Sequence, residues 1–166
     1  MINFRKTVFL SVVSDISQCP DPGYPEVVIV GRSNSGKSSL INALADNKSL
    51  ARVSSTPGKT RNIIYFLTDN KLLITDLPGY GYSKTPKTER DRFRSIADSY
   101  LTHGRKFALI IHCMDIRHTP SRDDVMMAQW VKDNGLKYLI VLTKSDKIST
   151  ADIPERIRDF KDVLEI

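Results

Sequence analysis

The sequence has few cysteines and no long apolar run, and both shortages exclude whole classes of protein. Neither of its two cysteines, Cys19 and Cys113, lies in a CxxC pair or a Cys/His cluster. A zinc site and a disulfide framework are therefore not indicated, and two free thiols in a reducing cytoplasm are expected. No apolar run approaches the roughly 18 residues that a membrane helix needs. The apolar stretch at residues 7–13 is short and lacks a cleavage site, which favours a strand over a signal peptide.

Charge is distributed unevenly along the 166 residues. Residues 1–114 carry 16 Lys/Arg and 9 Asp/Glu, a net of +7, whereas residues 115–166 carry 9 and 10, a net of −1. A basic region of this kind favours a polyanionic partner such as RNA or a nucleotide, although basic composition alone is weak support. The length and the 40% hydrophobic content suit one globular domain spanning residues 1–166.

Apolar, β-branched runs alternate with helical patterns, which predicts an α/β domain with a largely parallel sheet. Thr85-Pro86 and Thr119-Pro120 are expected to open two helices that end at Gly104 and Gly135. The turn signal Asp69-Asn70 separates two strands that can pair as an antiparallel hairpin. Strands are predicted at residues 7–13, 25–30, 63–67, 72–75, 107–113 and 138–142. Ligands of such folds bind at the carboxyl ends of the strands.

One such strand end carries the pattern GxxxxGK[ST], with a helix expected after it. The N–H groups of this loop and the positive end of the next helix suit phosphate oxygens. Lys37 is expected to reach the β- and γ-phosphates, and Ser38 to bind Mg²⁺. A glycine turn with a chance lysine is the structural alternative. The residues of the loop are Gly31, Arg32, Ser33, Asn34, Ser35, Gly36, Lys37 and Ser38.

A second strand end carries Thr143, Lys144, Ser145 and Asp146, which match the guanine-specificity pattern [NT]KxD. The Asp146 carboxylate can accept hydrogen bonds from the guanine N1–H and exocyclic amine together. Adenine lacks this donor pair and would leave the carboxylate unpaired, which is costly. The Lys144 side chain can lie along the base. Taken alone, the tetrapeptide would equally suit a solvated loop.

Two further segments complete a nucleotide site. Asp76, Leu77, Pro78 and Gly79 follow a strand, so Asp76 can hold Mg²⁺ through a water and the Gly79 N–H can bond a γ-phosphate. Loss of that phosphate would release the following residues 80–84, as a switch requires. The polar loop at residues 55–61 can bring Thr60 onto Mg²⁺. Each segment alone would also be an ordinary turn.

Together, residues 31–44, 56–60, 76–82, 114–118 and 143–146 resemble the EngB (YihA/YsxC) family of small bacterial GTPases. The resemblance runs from about Phe9 to the end of the chain. It implies a three-layer P-loop NTPase fold of the Ras-like type, mostly parallel with one antiparallel strand. It also implies GTP/GDP binding with Mg²⁺ and a role in assembly of the large ribosomal subunit, with a traditional link to cell division and septation.

Carried over by position, the resemblance adds nucleotide contacts at Gly58, Lys59, Thr60, Arg61 and Asn62. It implies Mg²⁺ ligation by Ser38 and Thr60, and it makes Lys37, Thr60 and Gly79 the catalytic candidates. Asn34 stands where some related GTPases hold K⁺, and an asparagine that only shapes the loop is the alternative.

Tyr80 occupies the place where many GTPases have a water-orienting glutamine. Intrinsic hydrolysis is therefore expected to be slow and to be accelerated by a partner or by K⁺. Asp115, Arg117 and His118 are interpreted either as an RNA or partner contact or as a local ion pair and cap, and His118 as a catalytic base is a third alternative.

Two stretches of the chain are rich in basic residues. Residues 47–68 contain four basic and no acidic side chains, and residues 84–94 contain five basic and two acidic side chains, which suits phosphate contacts to rRNA. No dimerisation signal is evident, so a monomer is expected. The chain stops 20 residues after Asp146, short of the last strand and helix of such a domain. The rival functions are a P-loop kinase that uses ATP and a non-catalytic RNA-binding scaffold with a decayed nucleotide site.

Overall fold

A computed structural model of the chain describes residues 1–51, 62–81, 98–102 and 104–166. Its six strands form one sheet in the order β1-β3-β4-β2-β5-β6. β3 pairs antiparallel with β1 and β4, and the pairs β4–β2, β2–β5 and β5–β6 are parallel. One strand, β3, therefore runs against the other five, as predicted. The strands are β1 (Thr7–Val13), β2 (Glu26–Gly31), β3 (Ile63–Thr68), β4 (Leu72–Asp76), β5 (Phe107–Asp115) and β6 (Tyr138–Thr143).

Helices cover both faces of the sheet. The described helices are α1 (Lys37–Ala45), α2 (Arg122–Asp133) and α3 (Ile153–Leu164), and residues 98–102 are also helical. Ile41 of α1 packs with Ile29 and Phe66 on one face. Val131 of α2 packs with Val28 and Tyr65 on the opposite face. Val28 and Ile29 lie on different faces because neighbouring residues of a strand point to opposite sides. One core layer on each face of the sheet, covered by helices, gives the expected three-layer α/β arrangement.

The hairpin between β3 and β4 follows from its turn residues. Asp69 and Asn70 both have φ of +50°. Positive φ at both central positions is the geometry of a type I′ turn, whose twist matches that of paired strands. Asp and Asn tolerate this region better than other non-glycine residues do, so the turn signal in the sequence predicts the hairpin correctly.

The start of α2 differs from the prediction. Thr119-Pro120 was expected to open this helix, but the helix begins at Arg122 with Ser121 as its N-cap. The Ser121 backbone N–H donates to the Asp124 carboxylate at 2.7 Å, and the Asp124 N–H donates to Ser121 Oγ at 3.3 Å. This capping box satisfies two otherwise unpaired groups, which outweighs the preference of proline for a first helical position.

Several predictions lie outside the described residues. They include the loop residues Gly58, Lys59, Thr60 and Arg61, and the opening of a helix at Thr85-Pro86. Where the chain is described, none of its helices has the length and apolar character needed to cross a membrane.

Candidate functional site

The predicted phosphate loop lies between the end of β2 and the start of α1 and depends on its first glycine. Gly31 has φ of +149°, and a Cβ there would lie 2.4 Å from the Cys113 carbonyl oxygen. It would also lie 2.6 Å from Ser35 Oγ, so no larger residue fits. The loop therefore turns sharply against β5, and its sequence positions correspond to the strand–loop–helix context that the motif requires.

Lys37 is buried inside this loop, at the first position of α1. Its side chain Nζ donates to the carbonyl oxygens of Gly31 and Arg32, at 3.3 Å each. The residue is 8% exposed, which is unusual for a lysine. These long, shared hydrogen bonds hold a positive charge at the mouth of the loop, where a phosphate would be bound.

Asp76 is a deeply buried carboxylate beside the phosphate loop. It ends β4 with 2% exposure, and its Oδ1 has no hydrogen-bond partner within the described part of the chain. Burial raises the pKa of Asp76 to about 6, and the nearby Lys37 charge opposes part of that rise. A buried carboxylate oxygen without a donor fits a hydrated cation. The Ser38 hydroxyl stays a predicted Mg²⁺ ligand, and the Thr60 hydroxyl lies outside the described residues.

The segment after Asp76 lies directly on the phosphate loop. The Leu77 N–H donates to the Ile29 carbonyl at 3.1 Å, which continues the β4–β2 ladder beyond the strand. Ser33 Oγ donates to the Gly79 carbonyl at 3.2 Å, and the Ser33 N–H donates to the Tyr80 carbonyl at 3.0 Å. Leu77 is buried, Pro78 follows it, and Gly79 comes so close to Ser33 that a Cβ would lie 2.7 Å from its nitrogen. The structure therefore brings the two predicted phosphate segments together.

The predicted guanine segment is tied to the same loop. Thr143 Oγ1 donates to the Ser35 carbonyl at 2.6 Å and contacts the Met114 carbonyl at 3.1 Å. The next residue, Lys144, has φ of +60° and donates from Nζ to the Asn34 carbonyl at 2.7 Å. Ser145 then begins a short 3₁₀ turn, Ser145–Lys147. A strand end 108 residues away in sequence from Ser35 thus braces the phosphate loop.

Asp146 projects from that turn. Its side chain is 70% exposed, and its carboxylate lies 3.0 Å from Lys147 Nζ. The hydrogen bond from Lys147 lowers the pKa of Asp146. An ionised, accessible carboxylate can accept two hydrogen bonds from one edge of a base.

Asp115 occupies the centre of an ion-pair cluster beside the guanine segment. Its carboxylate accepts two hydrogen bonds from the Arg117 guanidinium, at 2.9 and 2.7 Å, and lies 2.8 Å from Lys144 Nζ. The local ion pair, one of the interpretations of this segment from the sequence, is observed. His118 is exposed, with its ring 4.0 Å from Asp115.

The family follows from comparison with known proteins. A family model described as a 50S ribosome-binding GTPase matches residues 26–144. A probable GTP-binding protein EngB from Clostridium botulinum (strain Alaska E43 / Type E3) is 46% identical over 165 residues, which are 99% of this chain and 83% of the relative. The chain belongs to the EngB family of GTP-binding proteins. Another EngB relative, from Syntrophomonas wolfei, is 37% identical over 99% of this chain and 86% of its own length.

Solved structures agree on the fold of this EngB family member. A crystal structure of a probable GTP-binding protein engB superimposes with a TM-score of 0.71 at 24% identity, covering 85% of this chain and 80% of the other. A variant of Era from Aquifex aeolicus, bound to GDP.AlF4-, superimposes with a TM-score of 0.67 at 24% identity, covering 82% of this chain and 46% of Era. The P-loop GTPase fold is thereby established.

Two groups of buried polar residues near the predicted site segments were not predicted from the sequence. Asn42 of α1 holds the backbone of Lys48 and Ala51, immediately before residues 52–61. His112 and Asp124 bind the Tyr80 hydroxyl. A histidine inside the apolar run of a parallel strand was the available signal for the second group, because such strands are buried on both faces.

Proposed function

We propose that this chain is a Mg²⁺-dependent GTPase switch of one G domain that binds GTP and GDP and acts in assembly of the large ribosomal subunit. The observation that carries the proposal is the contact of two other segments with one loop. Residues 31–38 form a phosphate loop that is braced by Thr143 and Lys144 on one side and by Gly79 and Tyr80 on the other. A site with phosphate, γ-phosphate and guanine segments in contact suits a guanine nucleotide better than an adenine nucleotide.

The chemistry proposed for this chain is attack of water on the γ-phosphate, which breaks the bond to the β–γ bridging oxygen and releases GDP, inorganic phosphate and a proton. Lys37 and the N–H groups of the phosphate loop stabilise the negative charge that develops there. Ser38, Thr60 and, through water, Asp76 would hold a Mg²⁺ ion, which would supply positive charge to offset the charge of the phosphates. Binding of the nucleotide draws Lys37 from its carbonyl partners toward the phosphates. Asn34 is the candidate for a K⁺ contact.

Slow intrinsic hydrolysis is part of the proposal. Tyr80 stands where a glutamine would orient the attacking water, and its hydroxyl donates to Asp124 at 2.7 Å. A phenol committed to a buried carboxylate cannot place a water at the γ-phosphate. A ribosomal partner or K⁺ is then needed to accelerate turnover, so the protein acts as a timer. Faster hydrolysis in K⁺ than in Na⁺ is the test of the cation.

The proposed partner is the large ribosomal subunit or its rRNA, which the protein would bind in the cytoplasm as a monomer. The family description supports it, as do the basic stretches at residues 47–68 and 84–94. Co-sedimentation with the large subunit should be stronger with a non-hydrolysable GTP analogue than with GDP. Equal sedimentation in both states would favour the scaffold alternative. Loss of the protein is expected to affect cell division and septation indirectly, because fewer ribosomes would be assembled.

Calorimetric titration with GDP and with ADP in Mg²⁺ buffer tests the nucleotide site. GDP should bind and ADP should not.

Asp146→Asn should weaken GDP binding and strengthen binding of xanthosine diphosphate, because xanthine has a carbonyl where guanine has an amine. Asp152→Asn, an exposed change at the start of α3, is the matched control. Tighter binding of ADP than GDP would indicate a kinase, and binding of neither would indicate a scaffold.

A further inference from the structure

A buried polar cluster connects the Asp-x-x-Gly segment to α2. We call it the Tyr80 cluster, and it consists of Tyr80, His112, Asp124, Tyr138 and Ser121. His112 is fully buried in β5, and Asp124 is 4% exposed in the first turn of α2. A polar group in such a place is costly unless each of its atoms has a partner.

The hydrogen bonds of the cluster have one consistent assignment of donors and acceptors. The Tyr80 hydroxyl donates its only proton to Asp124 Oδ1 at 2.7 Å, so the contact between His112 Nε2 and that hydroxyl needs the proton on Nε2. His112 Nδ1 then accepts from the Tyr138 hydroxyl at 2.6 Å. Burial lowers the pKa of His112, which is consistent with this neutral ring. The chain of donors runs from Tyr138 through His112 and Tyr80 to the Asp124 carboxylate.

Ser121 completes the acceptor end of the chain. Its Oγ lies 2.6 Å from the second carboxylate oxygen of Asp124, and its backbone N–H donates to that oxygen at 2.7 Å. Both oxygens of Asp124 are therefore occupied, and the side chain is held in one orientation. Tyr80 is bound to a fixed point on α2.

The backbone of the same tyrosine is fixed to the phosphate loop. The Tyr80 carbonyl accepts the Ser33 N–H at 3.0 Å, and Tyr80 forms a parallel bridge with Arg32. The preceding Gly79 lies where a Cβ would be 3.0 Å from Lys37 Nζ. Tyr80 is thus held at its side chain and at its backbone, and Gly79 is held between Asp76 and Tyr80 against the loop.

From this geometry we infer that Tyr80 is a positioning residue, which uses its bonds to His112 and Asp124 to hold the Gly79 N–H where a γ-phosphate is bound. The inference rests on the proposed function. It assigns discrimination between GTP and GDP to the Tyr80 cluster. It also makes α2 part of the nucleotide response, because movement of Gly79 toward or away from the phosphate is transmitted through Tyr80 to Asp124.

The test compares Tyr80→Phe with Tyr100→Phe. Each variant removes one hydroxyl that donates to a buried carboxylate, Asp124 in the first case and Glu26 in the second, and Glu26 lies at the opposite end of β2. Affinities for GDP and for a non-hydrolysable GTP analogue are measured by calorimetry on the full chain. Tyr80→Phe also removes the acceptor of His112 Nε2, but that nitrogen lies 3.3 Å from Asp124 Oδ1 and can donate there. The net loss is then one hydrogen bond of about 1 kcal/mol, which corresponds to roughly a fivefold change.

Tyr80→Phe should weaken binding of the GTP analogue by about fivefold relative to GDP, whereas Tyr100→Phe should leave the ratio unchanged. A merely structural role for Tyr80 would lower stability in both variants without moving the ratio. Asp124→Asn retains an acceptor for Tyr80 and should give a smaller change in the same direction, so it carries the test if Tyr80→Phe does not fold. An unchanged ratio in the folded variants overturns the inference while nucleotide binding by the parent chain stands. Failure of the parent chain to bind either nucleotide overturns both.

Discussion

At the scale of the residue, Asn42 shows how one buried amide shapes the approach to the site. Its Nδ2 donates to the Lys48 and Ala51 carbonyls at 3.1 and 2.9 Å, and its Oδ1 accepts the Ala51 N–H at 2.7 Å. Asn42 is 7% exposed and Ala51 is 5% exposed, so water does not replace these bonds easily. The amide therefore fixes the backbone that leads from α1 toward residues 52–61.

Asn42→Ala should lower the free energy of unfolding by roughly 2 to 3 kcal/mol, because it leaves the buried N–H and carbonyl of Ala51 unpaired. Urea unfolding followed by circular dichroism measures the loss. The control is Asn47→Ala, which removes an exposed amide that accepts from Ser49, and it should cost under about 1 kcal/mol. Equal losses in the two variants would contradict the assignment.

At the scale of the element, the start of α2 is stabilised by the ionised carboxylate of Asp124 in its first turn. Burial of Asp124 opposes ionisation, but hydrogen bonds from His112, Ser121 and Tyr80 hold the pKa of Asp124 down at about 2. The ordinary value is 3.8, so the ionised carboxylate is stabilised more in the folded state than in the unfolded chain. The carboxylate also lies at the positive end of the helix, where negative charge is favoured.

The pH dependence of stability follows from that depressed pKa. The contribution is fully present above pH 4 and is lost as the pH falls from about 4 toward 2, with a total of about 2 kcal/mol. Urea midpoints at pH 7, 4, 3 and 2 measure it. Asp124→Asn should be less stable at pH 7 and should fall less steeply in acid. Asp133→Asn, at the exposed end of α2, should keep the steep acid loss, and a parallel loss in all three proteins would refute the assignment.

At the scale of the whole molecule, one buried ion pair joins distant parts of the chain at the sheet end opposite the site. Glu26, 3% exposed at the start of β2, accepts from Thr75 Oγ1 at 2.6 Å and from the Tyr100 hydroxyl. The Arg105 guanidinium lies 2.9 Å from its carboxylate and donates to the Pro20 carbonyl. This group ties β2, β4 and the helical residues 98–102 together.

Arg105→Met should cost roughly 3 kcal/mol of unfolding free energy, because it leaves Glu26 buried without its counter-charge. The matched control is Arg5→Met. Arg5 lies 3.2 Å from Asp46, but both side chains are more than two-thirds exposed, so this change should cost under about 1 kcal/mol. Guanidinium unfolding at one pH compares the two. A cost for Arg5→Met that matches Arg105→Met would mean that burial does not govern the pair.

The six strands and the order of the site segments could be predicted, since both depend on short stretches of sequence. Apolar runs bounded by turn residues mark the strands to within two residues, and Asp69-Asn70 marks the hairpin. The start of α2 was misplaced because Thr119-Pro120 and Ser121 offer competing caps, and only the reciprocal bonds of Ser121 and Asp124 decide between them.

The local site segments could be read from the sequence alone: a phosphate loop at the end of β2, an Asp-x-x-Gly segment at the end of β4 and a Thr-Lys-x-Asp segment at the end of β6. Glycine conformation and strand periodicity act over a few residues, so they can be read in order along the chain. The contacts between distant groups, in contrast, required the folded structure. Lys144 reaches Asn34, 110 residues away, and Tyr80 reaches Asp124, 44 residues away. Such contacts depend on strand order and register, which are set by packing of the whole sheet rather than by any one segment.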